Sequence, residues 1–130
     1  MRALAALALL PCLAACDLES PQDKQAREQL TGAWTHAATD GERKVTLYGK
    51  LAADGSFEFK LESPERTELR SGRWYVTEGY YKLKYDRIDG KPLSTSKIVY
   101  FTCRLLKVEA ASFTCRDDID KVDTTWTRAS

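Results

Sequence analysis

Four cysteines, one histidine and one run of aspartates are the side chains in this 130-residue chain whose types and spacing bear on chemistry. The cysteines stand at Cys12, Cys16, Cys103 and Cys115, with no Cys-x-x-Cys pair among them. His36 is the sole imidazole, so no usual zinc set of Cys and His ligands can be assembled. Asp117, Asp118, Asp120 and Asp123 form an acidic run without the glycine and terminal glutamate of a calcium loop. That run reads as a solvated connection between strands. A serine nucleophile would have to use His36, and no serine stands in a nucleophile-elbow pattern. No glycine-rich phosphate loop is present. Hydrolysis by paired carboxylates needs two acids that meet in space, and the sequence singles out no pair. The expectation is a non-enzymatic protein with no catalytic residue, no metal ligand and no cofactor assigned.

The cysteines make sense once the chain is divided. Met1-Arg2 is a short positive start, residues 3–10 are an unbroken Ala/Leu run, and small residues lead to Cys16. This is the order of a secretory signal. The run is too short to span a bilayer, which takes about 20 apolar residues. Residues 1–15 are therefore read as a signal peptide, 16–31 as a tether or short helix, and 32–130 as the domain. Removing the signal leaves 115 residues and takes Arg2 alone among the charged side chains. Nineteen Lys+Arg then balance nineteen Asp+Glu. A charge-neutral domain has no basic field to draw in nucleic acid. Cys12 leaves with the signal. Cys103 and Cys115 remain as an even pair in an exported chain, for which one disulfide is the natural inference.

Leu13-Ala14-Ala15-Cys16 resembles the lipobox of bacterial lipoproteins: an aliphatic residue, two small residues and a cysteine. Cys12 fits that pattern poorly, because Pro11 precedes it. The resemblance implies cleavage before Cys16 and acyl chains on its sulfur and amine, anchoring the chain to a membrane of the bacterial cell envelope, facing the periplasm. Two or more acyl chains give stable anchoring, where one gives only marginal binding. Asp17 resembles the enteric signal for retention at the inner membrane; the outer membrane is the alternative.

The remainder is organised to position β-strands. Ser20, Pro21 and Asp23 make a helix start, with a capping hydroxyl, a first-turn proline and an early carboxylate. Ala26 and Leu30 could share a helix face, and a loose tether is the alternative. Strand patterns follow at 34–37, 44–48, 57–62, 69–76, 81–86, 98–106, 112–116 and 123–128. Turn signals at Asp54-Gly55, Glu78-Gly79 and Asp89-Gly90 separate several of them. The expected fold is all-β, an antiparallel up-and-down barrel of about eight strands or a curved meander. A hairpin turning at residues 108–110 would set Leu105 opposite Phe113 and Cys103 opposite Cys115. Phe57, Phe59, Tyr81, Tyr85, Phe101, Phe113 and Trp126 are candidates to point inward. An eight-stranded barrel is just wide enough to be filled by side chains or to hold one small ligand, and seven large residues favour the filled core.

Leu30-Thr31-Gly32-Ala33-Trp34 resembles the Gly-x-Trp signature that opens the first strand of lipocalins and related calycin barrels. In that superfamily a short helix precedes the motif, and an Arg or Lys of the last strand lies on the Trp. The resemblance implies a structural role for Gly32 and Trp34, with Arg128 stacked on Trp34. The superfamily's Thr-Asp-Tyr motif is absent, and the domain is shorter than a typical lipocalin. Ser71-Gly72-Arg73-Trp74-Tyr75 faintly resembles a Ser-Gly-x-x-Tyr segment of membrane-bound inhibitors of C-type lysozyme. There a Tyr-x-Cys motif precedes the segment, whereas here Phe101-Thr102-Cys103 and Phe113-Thr114-Cys115 follow it. No inhibitory residue carries over, and the segment reads as a strand with Trp74 on one face and Arg73 and Tyr75 on the other.

Arg66, Arg70, Arg73, Lys82, Lys84 and Arg104 fall on neighbouring strands with Tyr75 and Tyr80, a combination of residue types found at interfaces and equally at solvated strand faces. The expectation is a membrane-anchored lipocalin-like module that binds a periplasmic protein or a small apolar ligand. The second reading is an inhibitor or immunity protein acting against a cell-wall-degrading or other toxic enzyme.

Overall fold

The computed structural model describes residues 19–40, 42–94 and 99–129. The signal segment, the lipobox and Cys16 lie outside the described residues. Helix α1 (Pro21–Leu30) leads into strands β1 (Gly32–Asp40), β2 (Arg43–Leu51), β3 (Ser56–Glu62), β4 (Thr67–Thr77) and β5 (Tyr80–Ile88). A two-residue β6 (Lys91–Pro92), β7 (Val99–Val108), β8 (Ser112–Asp117) and β9 (Asp123–Arg128) complete the order. The eight long strands form an antiparallel meander, and β9 closes the ring on β1 through Trp34 opposite Arg128 and Thr35 opposite Thr127. β6 folds back on the end of β5, with Arg87 opposite Pro92. The fold is therefore a closed barrel, and the open-meander alternative is set aside.

Alternation in the sequence decides what faces inward. In β4 the buried positions are Glu68, Gly72, Trp74 and Val76, and in β5 they are Tyr81, Leu83 and Tyr85. Phe57, Phe59, Tyr81, Phe113 and Trp126 are buried in one cluster with Trp34 and Trp74, and Phe101 packs against it half-buried. The rings meet mostly edge to face, as in Trp34 on Phe113 at 4.8 Å and Phe57 on Tyr85 at 5.4 Å. That is the favoured geometry of aromatic quadrupoles. The space enclosed by Trp34, Leu51, Phe59, Tyr81, Phe113 and Trp126 has no room for a water molecule. The interior is filled.

A small barrel bends its strands sharply, and this needs glycine at a close approach. The β4–β5 register shifts between Ser71 and Gly72. A Cβ on Gly72 would collide with the Lys84 carbonyl and press on Phe57 at 3.0 Å.

Helix α1 forms as its start signal predicts, and the loose-tether alternative does not hold for residues 21–30. Ser20 Oγ accepts the Asp23 amide at 3.0 Å, and Pro21 occupies the first turn. Arg27 grips Glu19 with two hydrogen bonds of 2.8 and 3.1 Å. Asp23 does more than start the helix. It is only 7 % exposed, and its carboxylate accepts the backbone N–H groups of Glu78 (2.8 Å) and Gly79 (3.0 Å) in the β4–β5 turn. Both turn residues have positive φ, 53° and 81°, the form that suits a two-residue hairpin. With Leu30 fully buried, the helix is docked across one end of the barrel, against β4 and β7.

The β7–β8 hairpin departs from the expected register. Its loop is residues 109–111, closed by Glu109 N–H donating to Ser112 O at 2.8 Å, and Leu106 is an extra residue between paired positions. Leu105 therefore stands opposite Cys115, not Phe113, and Cys103 stands opposite Asp117. The longer loop and the bulge together displace the pairing by two positions. A displacement of two keeps every side chain on its face, so both cysteines still point inward. They are diagonal neighbours, 5.5 Å apart between Cα atoms, and form the disulfide.

Candidate functional site

The helix-capped end is sealed by the three motif residues. Trp34 is buried, and its indole N–H donates to the Leu30 carbonyl at 2.7 Å. The Arg128 guanidinium lies 4.2 Å from the centre of the Trp34 ring. Its nitrogens donate to three carbonyls: Ala110 at 2.8 Å, Gln29 at 2.8 Å and Thr31 at 3.2 Å. Arg128 thus joins the helix end, the β7–β8 loop and the Trp34 ring. It also explains Gly32, whose φ is 139° and whose Cβ, if present, would sit 2.5 Å from an Arg128 nitrogen. These contacts close the barrel end and hold no reactive group.

The opposite end is open and more polar. Glu68 points inward, 8 % exposed, and accepts two hydrogen bonds from Arg70 at 2.8 and 3.1 Å. Arg70 also lies over the Tyr85 ring at 5.6 Å. Burial raises the Tyr85 hydroxyl above its ordinary pKa, and the Arg70 charge opposes part of that rise. Deeper in, complete burial pushes Tyr81 well above its ordinary value. No hydrogen-bond partner reaches the Tyr81 hydroxyl among the described residues. On the other side of the opening His36 Nδ1 lies 2.9 Å from the Thr125 carbonyl, so this nitrogen carries the proton and donates.

Beside His36 is a mostly apolar cup of about 220 Å³, lined by Leu47, Phe101, Cys115, Trp126 and residues of the β8–β9 connection. That connection is the acidic run. Asp117 accepts the amides of Ile119 (2.7 Å) and Asp120 (3.1 Å), and Asp120 accepts that of Val122 (3.1 Å). Asp123 forms a two-point pair with Arg116 at 2.6 and 3.2 Å, which holds its carboxyl below the ordinary value. Asp118 reaches Lys121 at 3.7 Å. The four carboxylates shape a loop and do not converge on a point. The loop lifts Ile119, 89 % exposed, and Val122, 54 % exposed, into solvent beside the cup.

The basic cluster divides in the structure. Arg70 is an inward residue held by Glu68, and Arg66 lies before β4, 3.9 Å from the other Glu68 oxygen. The remaining four share the outer wall of β4, β5 and β7. Arg73 pairs across to Lys84 and then Tyr100, Tyr75 to Lys82 and then Thr102, and Thr77 to Tyr80 and then Arg104. Strand parity carried this grouping: Arg70 shares the face of Trp74, and Arg73 that of Tyr75. The same parity marks Glu68 as inward and Tyr100 as outward, two residues the sequence reading passed over. Asp23 carried no such signal, because its partners are backbone groups 55 and 56 residues away.

Among the described residues no helix is long and apolar enough to cross a membrane. No protein-family model matches the chain, and no curated protein matches it in sequence.

Proposed function

We propose that this protein is a lipid-anchored, non-catalytic binding module of a bacterial envelope, held by acyl chains on Cys16 and offering the open end of its barrel to a partner protein in the periplasm. The observation that carries this reading is the contrast between the two ends. The end from which the chain runs toward Cys16 is sealed by α1, Trp34 and Arg128. The far end exposes Ile119 and Val122 beside an apolar cup. A filled interior gives no support to a ligand held inside the barrel. The cup, at about 220 Å³, is smaller than the ~300–1,000 Å³ of small-molecule pockets. It is sized for one or two apolar side chains of a partner, with Ile119 inserted in return.

The inhibitor or immunity reading is the second, favoured by the exposure of Ile119 on a loop above a filled barrel, a shape suited to entering an enzyme's cleft. Asp17 favours the inner membrane as the site of action. The test is a photo-crosslinking side chain placed at Ile119 in cells, with one at Thr35 on the outer wall as control. A discrete adduct from position 119, absent from Thr35 and lost on adding Val122→Asp, supports the reading. Equal crosslinking from both positions overturns it. Cys16→Ser is expected to release the protein from membranes, and continued membrane association would overturn the anchor.

A further inference from the structure

Lys82, Lys84, Arg73 and Arg104 form no ion pair with any described residue, although they share one wall of a charge-balanced domain. Tyr75 and Tyr100, 40 % and 56 % exposed, stand between them. The Arg73 guanidinium reaches the turn between β2 and β3, where it donates to the Asp54 carbonyl at 3.0 Å and its charge acts on the Asp54 carboxylate. Glu78 and Asp86 stand at the two ends of the β5 side of this wall, and Asp54 stands by Arg73, so the cations without a neighbouring acid are Lys82, Lys84 and Arg104.

The position of the patch relative to the chain's start identifies what it meets. Asp23 ties the first turn of α1 to Glu78 and Gly79, the turn that ends this same wall. Ser20, the helix cap, is therefore beside the wall, and Cys16 is four residues before it. Four residues span at most about 14 Å. We infer that this wall is a second membrane contact, taking the anionic headgroups of the bilayer in which the Cys16 lipid is embedded, so that the barrel leans its β4–β5–β7 side on the membrane. The inference rests on the lipid anchor proposed above.

The two lysines favour a lipid surface over an acidic protein. Lysine is depleted from protein interfaces, whereas a charged membrane surface attracts any cation near it. Tyrosine suits the headgroup boundary, with an apolar ring and a polar tip. Each cation near an anionic surface raises its occupancy about five-fold, so Lys82, Lys84 and Arg104 together give about a hundred-fold preference for the leaning state. That preference weakens as salt shortens the screening length.

The test uses the lipidated protein in phosphatidylcholine vesicles, with and without phosphatidylglycerol. Amines are labelled with a membrane-impermeant acylating reagent, and initial rates at each lysine are read by mass spectrometry. Lys82 and Lys84 should be protected at least ten-fold in the anionic vesicles alone, and lose that protection in high salt. Lys44, at the open end on β2, should label equally in both. Equal labelling of Lys82 and Lys84 in the two vesicle types overturns the inference, as would protection in phosphatidylcholine alone. An acidic protein as the true occupant gives the first of these results. Flotation with neutral vesicles reads the anchor separately: protein that floats but shows no protection refutes only the wall, and protein that does not float refutes the anchor beneath it.

Discussion

Replacing Asp23 with alanine tests whether α1 belongs to the barrel or merely rests on it. The carboxylate accepts two backbone N–H groups at 2.8 and 3.0 Å. Hydrogen bonds to a charged group contribute about 1.5–3 kcal/mol each. Glu78 and Gly79 are themselves exposed, so water can take over both donors, and the combined loss is set at the low end, about 3 kcal/mol. For a domain of this size the melting temperature should fall by about 12 °C. Asp23→Asn keeps one acceptor and turns an N–H group toward the second donor, so it should lose most of the same stability. A first-turn carboxylate also favours the helix dipole by about 0.3–1 kcal/mol, so a loss near 3 kcal/mol exceeds what the helix start alone supplies. The assay is thermal unfolding combined with amide hydrogen exchange. The amides of residues 24–30 should exchange faster than those of β7 and β8, because the helix opens before the barrel. A loss below about 0.5 kcal/mol, the scale of an ordinary surface change, with helix protection unchanged, would refute the reasoning.

Two further changes probe the interior. Tyr81→Phe should raise the melting temperature by about 4 °C, since it removes a buried hydroxyl that has no partner among the described residues, a group that costs about 1–3 kcal/mol. A fall in melting temperature would show that the hydroxyl is satisfied in solution. Replacing Cys103 and Cys115 together by alanine should cost about 3 kcal/mol in denaturant titrations, the value for freeing a loop with a sequence separation of 12. A loss below about 1 kcal/mol would mean that the hairpin and core hold the register without the bond.

Period-two alternation made the barrel legible, because its strands are covered on one side and wet on the other. Phe57 and Phe59 against Glu58 and Lys60, and Tyr81 and Leu83 against Lys82 and Lys84, state their faces outright. The β7–β8 register was less legible. A bulge at Leu106 and a three-residue loop leave no mark in composition, yet together they move Cys115 from Cys103 to Leu105. The faces survived because the displacement is even. Asp23 was legible as a helix-start residue and illegible as a latch. Its role depends on where a hairpin more than fifty residues later places two amides. The wall lay between these cases. Its cations could be grouped by parity, but their relation to the chain's start depends on that same latch.

Closure of the ring restricts how this protein can recognise anything. Strand addition needs a free edge, and each of the eight long strands has a neighbour on both sides, which leaves a partner only the short stretch of β1 beyond its two-residue pairing with β9. The space among Trp34, Leu51, Phe59, Tyr81, Phe113 and Trp126 has no room for a ligand. Recognition by contact falls chiefly to side chains that stand outside the packing. Ile119, Val122, Lys82 and Arg104 all do so, whereas Trp34, Tyr81 and Phe113 do not. Substitutions outside the packing usually change stability by no more than about 0.5 kcal/mol. A charge at Ile119, or the loss of one at Lys82, should therefore leave the barrel intact. Any change in partner or membrane contact that follows is then a change in recognition and not in folding.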